Sequence, residues 1–169
     1  MEIIVDGYNL IGASALGLRG NIESQRNRLI DGLSRYAQAK GFAVTVVFDG
    51  WRSGFPDEVK ENRGAITVVY SRRGEKADSV VVRIARASGS GCVVVTSDRE
   101  VRSAVERFGA TAIYAGEFAS ILRRLEHGTG SDNSAEQLEH EGRTVKKGNS
   151  KQLSKTEKRR REKLKKLRI

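Results

Sequence analysis

Apolar and polar positions along the chain alternate between two rhythms. Short β-branched or apolar runs at 2–5, 43–48, 66–70, 92–96 and 111–114 read as five strands. Between them, apolar residues recur at helical spacing. Ile22, Leu29, Ile30, Leu33, Tyr36 and Ala37 predict a helix over 21–40, with Asn21 as its cap, Glu23 at the positive end of its dipole and Gly41 as its stop. Ala77, Val80, Val81, Ile84 and Ala85 form a stripe for a helix over 76–88. Val101, Ala104, Val105 and Phe108 do the same for 98–108, and Phe118, Ile121, Leu122 and Leu125 for 116–126. Asp6 to Gly20 reads as a glycine-rich loop. The polar stretch 51–64, which holds the sole proline, Pro56, reads as a loop with room for a short helix.

Strands alternating with helices predict an α/β domain whose parallel sheet is covered on both faces. Right-handed crossovers bring the C-terminal ends of parallel strands to one edge of the sheet, and ligands bind there, where the strand order switches. Three strands end in an acid: the first in Asp6, the second in Asp49, the fourth in Asp98. A fourth acid, Asp78, opens a helix. With the first strand central, between the second and fourth, these carboxylates converge on one cleft.

Composition changes this picture mainly at the C-terminus. Of the 31 Lys+Arg, 13 lie in residues 143–169, against two of the 21 Asp+Glu, Glu157 and Glu162. That leaves 18 basic and 19 acidic residues before them. A near-neutral body with a strongly basic tail points to a polyanionic partner. Residues 127–150 lose apolar periodicity and have linker composition. Residues 151–169 hold a capping box, Ser154 to Glu157, and a possible helix over 155–167 with only Leu164 and Leu167 as apolar positions. The expectation is a tail that is disordered, or helical only in part, when free. The domain division is therefore 1–126, 127–150 and 151–169. The single cysteine, Cys92, opens an apolar run, which excludes a disulfide framework. No signal-peptide pattern and no membrane-length apolar run is present, so a soluble cytoplasmic protein is expected.

Clustered carboxylates repel and raise one another's pKa unless a cation joins them, and an all-oxygen donor set suits Mg²⁺ or Mn²⁺. Such a site suits phosphodiester hydrolysis by metal-activated water. Each acid also has a structural alternative: Asp98 opens a helix and can favour its dipole, and Asp49-Gly50 is a common turn pair. Both histidines, His127 and His140, fall in the linker, which removes a Ser-His-Asp device. The glycines between Gly12 and Gly20 match neither phosphate-binding nor dinucleotide-binding fingerprints, so no nucleotide cofactor is expected.

Asp6-Gly7-Tyr8-Asn9, Phe48-Asp49-Gly50, Gly74-Glu75-Lys76-Ala77-Asp78 and Thr96-Ser97-Asp98, in this order and context, resemble the NYN domain and, more closely, its YacP-like bacterial branch. The resemblance covers about residues 1–126. NYN domains resemble PIN domains, so it implies a three-layer α/β/α sandwich with a mostly parallel five-stranded sheet and an acidic metal pocket that cleaves RNA. By position, it makes Asp6, Asp78 and Asp98 the catalytic and metal-site residues, and Asp49 a ligand or outer acid. Asn9 would orient Asp6 or touch a phosphate, Glu75 would face the cleft one turn before Asp78, and Thr96 and Ser97 would donate hydrogen bonds. The alternatives are a first-turn acid for Glu75 and helix capping for Thr96 and Ser97. Some YacP-like proteins are linked to ribosome-associated mRNA cleavage, which adds the ribosome to the candidate partners.

The residues supply candidates for RNA contact. Tyr8, Trp51 and Phe55 lie in loops at the active edge and could stack on bases, although Tyr8 and Phe55 suit core-facing lids equally. Arg52, Arg63, Arg72, Arg73 and Arg99 could meet phosphates. In the tail, Lys158, Arg159, Arg160, Arg161, Lys165 and Lys166 form a run that would bind RNA independently of sequence, with an acidic protein surface as the competing partner. The leading expectation is a Mg²⁺- or Mn²⁺-dependent endoribonuclease with an RNA-binding tail. The alternative is an RNA- or ribosome-binding module with a weak or inactive acidic pocket. A phosphotransfer domain is disfavoured: no Asp-x-Asp follows the first strand, and Tyr70-Ser71-Arg72 ends the third without an acid.

Overall fold

The central strand sets the architecture. In a computed structural model, which describes residues 1–14, 21–50, 56–126 and 154–168, β1 (Glu2–Asp6) lies between β2 (Ala43–Phe48) and β5 (Cys92–Val95), parallel to both. The sheet continues through β4 (Ile66–Tyr70) on one side and β6 (Thr111–Ile113) on the other. With β3 (Val59–Arg63) at the far edge, the order is β3-β4-β2-β1-β5-β6. Ile3, Ile4 and Val5 are fully buried, as a strand covered on both faces requires.

Alternate residues of β1 feed two cores. Ile3 and Val5 join Val44, Val46 and Phe48 beneath α2 (Ile22–Lys40) and α5 (Ala115–Glu126), through Leu33, Tyr36, Phe118 and Ile121. Ile4 joins Val47 and Val69 beneath α3 (Ala77–Ser88) and α4 (Arg99–Arg107), through Val80, Val81, Val101 and Val105. The result is the expected helix–sheet–helix sandwich. Asn21 caps α2 through a 2.9 Å hydrogen bond from the Glu23 amide, and Gly41 ends it at a left-handed φ of 64°.

The expectation of five strands is corrected to six. Val59–Arg63 pairs antiparallel with β4 across a turn at Gly64, whose φ is 61°. Its sequence, Val-Lys-Glu-Asn-Arg, has no apolar alternation because an outer edge strand has little to bury. The reading of Asp6 to Gly20 as loop is also corrected in part, since residues 7–13 form a short helix, α1 (Gly7–Ala13). The Asp6 side chain caps it, and Leu10 and Ile11 are buried. Seven residues with two glycines are too few to show a helical period. Positions 15–20 and 51–55, and with them Trp51, Arg52 and Phe55, lie outside the described residues, as does the linker expected over 127–150.

Where the pattern reads a tail disordered or partly helical when free, residues 155–167 form a helix, α6 (Lys155–Leu167), seated on the domain. Leu167 is fully buried in the same core as Ile3 and Val5. The Tyr36 hydroxyl donates to its carbonyl at 3.0 Å, and Lys40 donates to the carbonyl of Arg168. Ser154 caps the helix, accepting from the Glu157 amide at 3.1 Å. Two leucines cannot build a core of their own, but Leu167, with Leu164 packed beside it, anchors the helix to an existing one. Among the described residues, no helix is long and apolar enough to cross a membrane.

Gly50, two residues after β2, is a point of close backbone approach. A Cβ there would stand 1.6 Å from the Ser71 carbonyl oxygen, whereas one on Gly12 would meet nothing within 4 Å. Gly50→Ala is expected to cost about 1–3 kcal/mol by overpacking. Gly12→Ala, in α1, should be neutral or gain about 0.5–1 kcal/mol. Urea denaturation of both variants checks this; equal effects would contradict the close approach at Gly50.

Candidate active site

The sheet brings the C-terminal ends of β1, β2 and β5 together at the point where the chain reverses its direction of strand addition. Asp6 stands at the end of β1 and is only 5% exposed. Its Oδ1 accepts from the Asn9 amide at 3.2 Å, and its Oδ2 accepts from the Thr96 hydroxyl at 3.3 Å. Burial pushes its pKa from an ordinary 3.8 up to about 6; the Asn9 amide works against this, and the Asp78 charge adds to it.

Asp78 lies in the first turn of α3. Burial raises its pKa first, and the charges of Asp98 and Asp49 raise it further, while Lys76 opposes them. The mutual effects join Asp6 to Asp78, and Asp78 to Asp49 and Asp98. Asp49 reaches across from the end of β2 to accept the Ala77 amide at 2.7 Å, capping α3 from another element. Asp98 caps α4 through the amides of Glu100 and Val101 at 2.7 and 3.0 Å. Its own amide donates to the Thr96 hydroxyl at 3.1 Å. Asp49, Gly74, Glu75, Lys76 and Asp78 line an open cleft of about 370 Å³.

The supporting residues divide. Thr96 ties the ends of β1 and β5 together through Asp6 and Asp98. The Asn9 side chain accepts the Ser97 amide at 3.0 Å, and the Ser97 hydroxyl accepts the Ala115 amide at 3.3 Å. Glu75 lines the cleft but pairs with Arg72 at 3.2 Å and Arg83 at 3.8 Å. Tyr8 is half-buried and packs edge-on against Phe48, with 5.3 Å between ring centroids. Arg99 is exposed at the start of α4. On α6, Lys158, Arg159, Arg161, Lys165 and Lys166 are exposed, and Arg159 also donates to the Gly109 carbonyl at 3.3 Å. Arg160 is turned inward onto Glu117 and Glu157.

Two residues outside the sequence-based candidates shape the site. Ser71 is fully buried. Its hydroxyl accepts the Gly50 amide at 3.0 Å and donates to the Glu75 carbonyl at 2.7 Å, which holds the loops after β2 and β4 together. A serine directly after a strand is its only signal in the sequence. Lys76 brings a cation into the cleft beside Asp78.

The donor set is all oxygen, and two of its members, Asp6 and Asp78, carry pKa values raised by burial and by neighbouring acids. Both features fit a hard divalent cation. Among the described residues, however, no three acid, histidine or cysteine side chains stand close enough to form a ready-made ion site.

The Asp6 shift has a defined sign. A carboxyl with a raised pKa in the fold binds its proton more tightly folded than unfolded. The metal-free protein should therefore lose stability as pH rises from about 4 to about 7, by at most about 3 kcal/mol. In chelator, the stability advantage of Asp6→Asn over wild type should grow across that window. Denaturation curves from pH 4.5 to 8 measure it, and a difference independent of pH would contradict the assignment.

A family model described as the YacP-like NYN domain matches residues 3–168, so it takes in α6 as well as the sheet. Two crystal structures of Rae1 (YacP) from Bacillus subtilis are similar to this chain. One, a point mutant, is 27% identical, with a TM-score of 0.63 over 75% of this chain and 77% of that one. The other is 28% identical, with a TM-score of 0.62 over 75% and 76%. No curated protein sequence matches. The fold is of ribonuclease type, and this chain belongs to the YacP-like NYN domain family.

Proposed function

We propose that this protein is a cytoplasmic endoribonuclease that depends on Mg²⁺ or Mn²⁺ held by Asp6, Asp78 and Asp98, with Asp49 as a further ligand or outer acid. The observation that carries this reading is Asp78. Among the described residues its carboxylate accepts no hydrogen bond, although it is partly buried and faces the fields of Asp6, Asp49 and Asp98. The α3 dipole and Lys76 offset only part of this repulsion, and a cation would relieve the rest.

When bound, the cation supplies Lewis-acid polarisation of the phosphodiester and a lowered pKa for the attacking water. The chain's own residues do the rest. Thr96 and the Asn9 amide fix the two oxygens of Asp6, and the α4 amides fix Asp98. Ser71 holds the loop carrying Asp49 against the start of α3. Lys76 offers the scissile phosphate a cationic contact at the mouth of the cleft. The exposed cations of α6 (Lys158, Arg159, Arg161, Lys165 and Lys166) meet RNA phosphates elsewhere on the molecule, on the ribosome or on free RNA.

The absence of a closed ion site among the described residues favours one competing reading, an RNA-binding module whose pocket is weak. Labelled single-stranded RNA, incubated with Mn²⁺ or with chelator, separates the two. Cleavage only with metal, reduced at least about 10²-fold in both Asp6→Asn and Asp78→Asn, is expected; cleavage surviving both changes would exclude the assignment. Retention of RNA without cleavage, and no gain of thermal stability with Mn²⁺, would support the binding module. RNA affinity measured from low to high salt should fall with a log–log slope of about −2 to −4, as a few phosphate contacts require. A flat dependence would remove α6 as a phosphate-binding element.

A further inference from the structure

Arg160 is turned inward on a helix where Arg159 and Arg161 on either side of it are exposed. Its side chain is only 17% exposed, where that of Arg161 is 63%. Its guanidinium pairs with Glu117 of α5 and, at 3.1 Å, with Glu157, and it lies over the Tyr114 ring at 5.0 Å. Arg102 of α4 lies over the same ring at 3.8 Å. A solvated phosphate-seeking arginine has no reason to be enclosed this way, so its role concerns what Glu117 does.

Glu117 is the inner acid of a capping arrangement. Its carboxylate accepts the Tyr114 amide at 3.3 Å, fixing the first turn of α5. The next amide in that turn, Ala115, is capped from outside the helix by the Ser97 hydroxyl. The Ser97 amide donates to the Asn9 side chain, and the Asn9 amide donates to Asp6. A second route runs beside it: the Thr96 amide donates to the Ile113 carbonyl at 3.1 Å, and the Thr96 hydroxyl donates to Asp6. Ile113 ends β6, the strand on which α6 lies. Both routes thus begin at the contact between α6 and the β6–α5 corner and end on the two oxygens of one carboxylate.

We infer that Arg160 is a positioning residue: by docking the C-terminal helix on Glu117, it holds the α5 cap, Ser97 and Asn9 so that Asp6 is presented to the metal. This rests on the proposed function for its metal and cleavage readouts, but not for its hydrogen-bond readout. The basic helix then does two jobs with different residues. Its outward cations bind polyanion, and Arg160, turned inward, aligns the site.

The test compares wild type, Arg160→Ala, the shape-preserving Glu117→Gln, and Arg35→Ala. The last breaks an exposed ion pair with Glu126 at the other end of α5 and serves as control. Amide hydrogen exchange is measured at Ser97 and Ala115, and Mn²⁺ affinity is measured by titration of thermal stability. Arg160→Ala and Glu117→Gln should speed exchange at both amides and weaken Mn²⁺ binding by about 3- to 10-fold, as coupling through a side-chain network does. In RNA cleavage, kcat should fall with KM nearly unchanged, and Arg35→Ala should match wild type throughout. Unaltered exchange and Mn²⁺ affinity in both folded variants would overturn the inference, even if stability falls. Wild type that neither binds Mn²⁺ nor cleaves RNA would instead overturn the function, and the exchange data would still decide whether Arg160 holds Ser97. Should Arg160→Ala not fold, Glu117→Gln carries the comparison alone.

Discussion

A buried carboxylate at the end of a buried strand is the constraint on which the rest of the structure turns. Asp6 follows three fully buried apolar residues in the central strand and is itself almost without exposure. Such a group must find hydrogen bonds or give up its charge. The fold does part of each. It provides the Asn9 amide and the Thr96 hydroxyl, and it leaves the pKa raised to about 6. Much of the surrounding architecture serves those two donors. Asn9 lies within α1, and Thr96 depends on β5 running beside β1. The order β2-β1-β5 makes the second possible.

The strands in that order were legible in the chain because buried parallel strands are written as apolar runs, while their order was a premise that the sheet supplies. Val44 to Phe48 and Cys92 to Val95 have no other use for so many β-branched side chains. The edge strand Val59–Arg63 was not legible for the converse reason: a strand that buries little carries no pattern. Helix α1 was hidden because its cap is Asp6, the very residue that marks the site, and because its glycines break the apolar rhythm. Gly7 is there because a Cβ would stand 2.2 Å from the Phe48 ring, a long-range cause with no local trace.

The acids of the candidate site were visible in the sequence as residues and not as a set of interactions. Each acid ends a strand or opens a helix, which any reader of the sequence can see. That Asp49 caps a helix beginning 28 residues later is a tertiary fact, as is the clasp of Ser71 between two loops. The tail shows the same limit. Its charge was obvious, but its attachment works through two leucines, three hydrogen bonds to main-chain carbonyls and one inward arginine. None of these differs in type from the residues beside it.

The structural and the catalytic explanations of these acids do not compete. Three of the four cap helices, Asp6 on α1, Asp49 on α3 and Asp98 on α4, and each does so through Oδ1. A cap fixes a carboxylate's orientation without consuming both of its oxygens, and it places the positive end of a helix dipole against the negative charge. Helix N-termini thus offset part of the repulsion among acids brought to one sheet edge, which lets them gather before any cation arrives. Asp78 lies in the first turn of α3, where the same dipole acts on it, but it caps nothing. Burial and its acidic neighbours raise its pKa, and since no cap accounts for its place it is the residue by which capping and cation binding can be told apart.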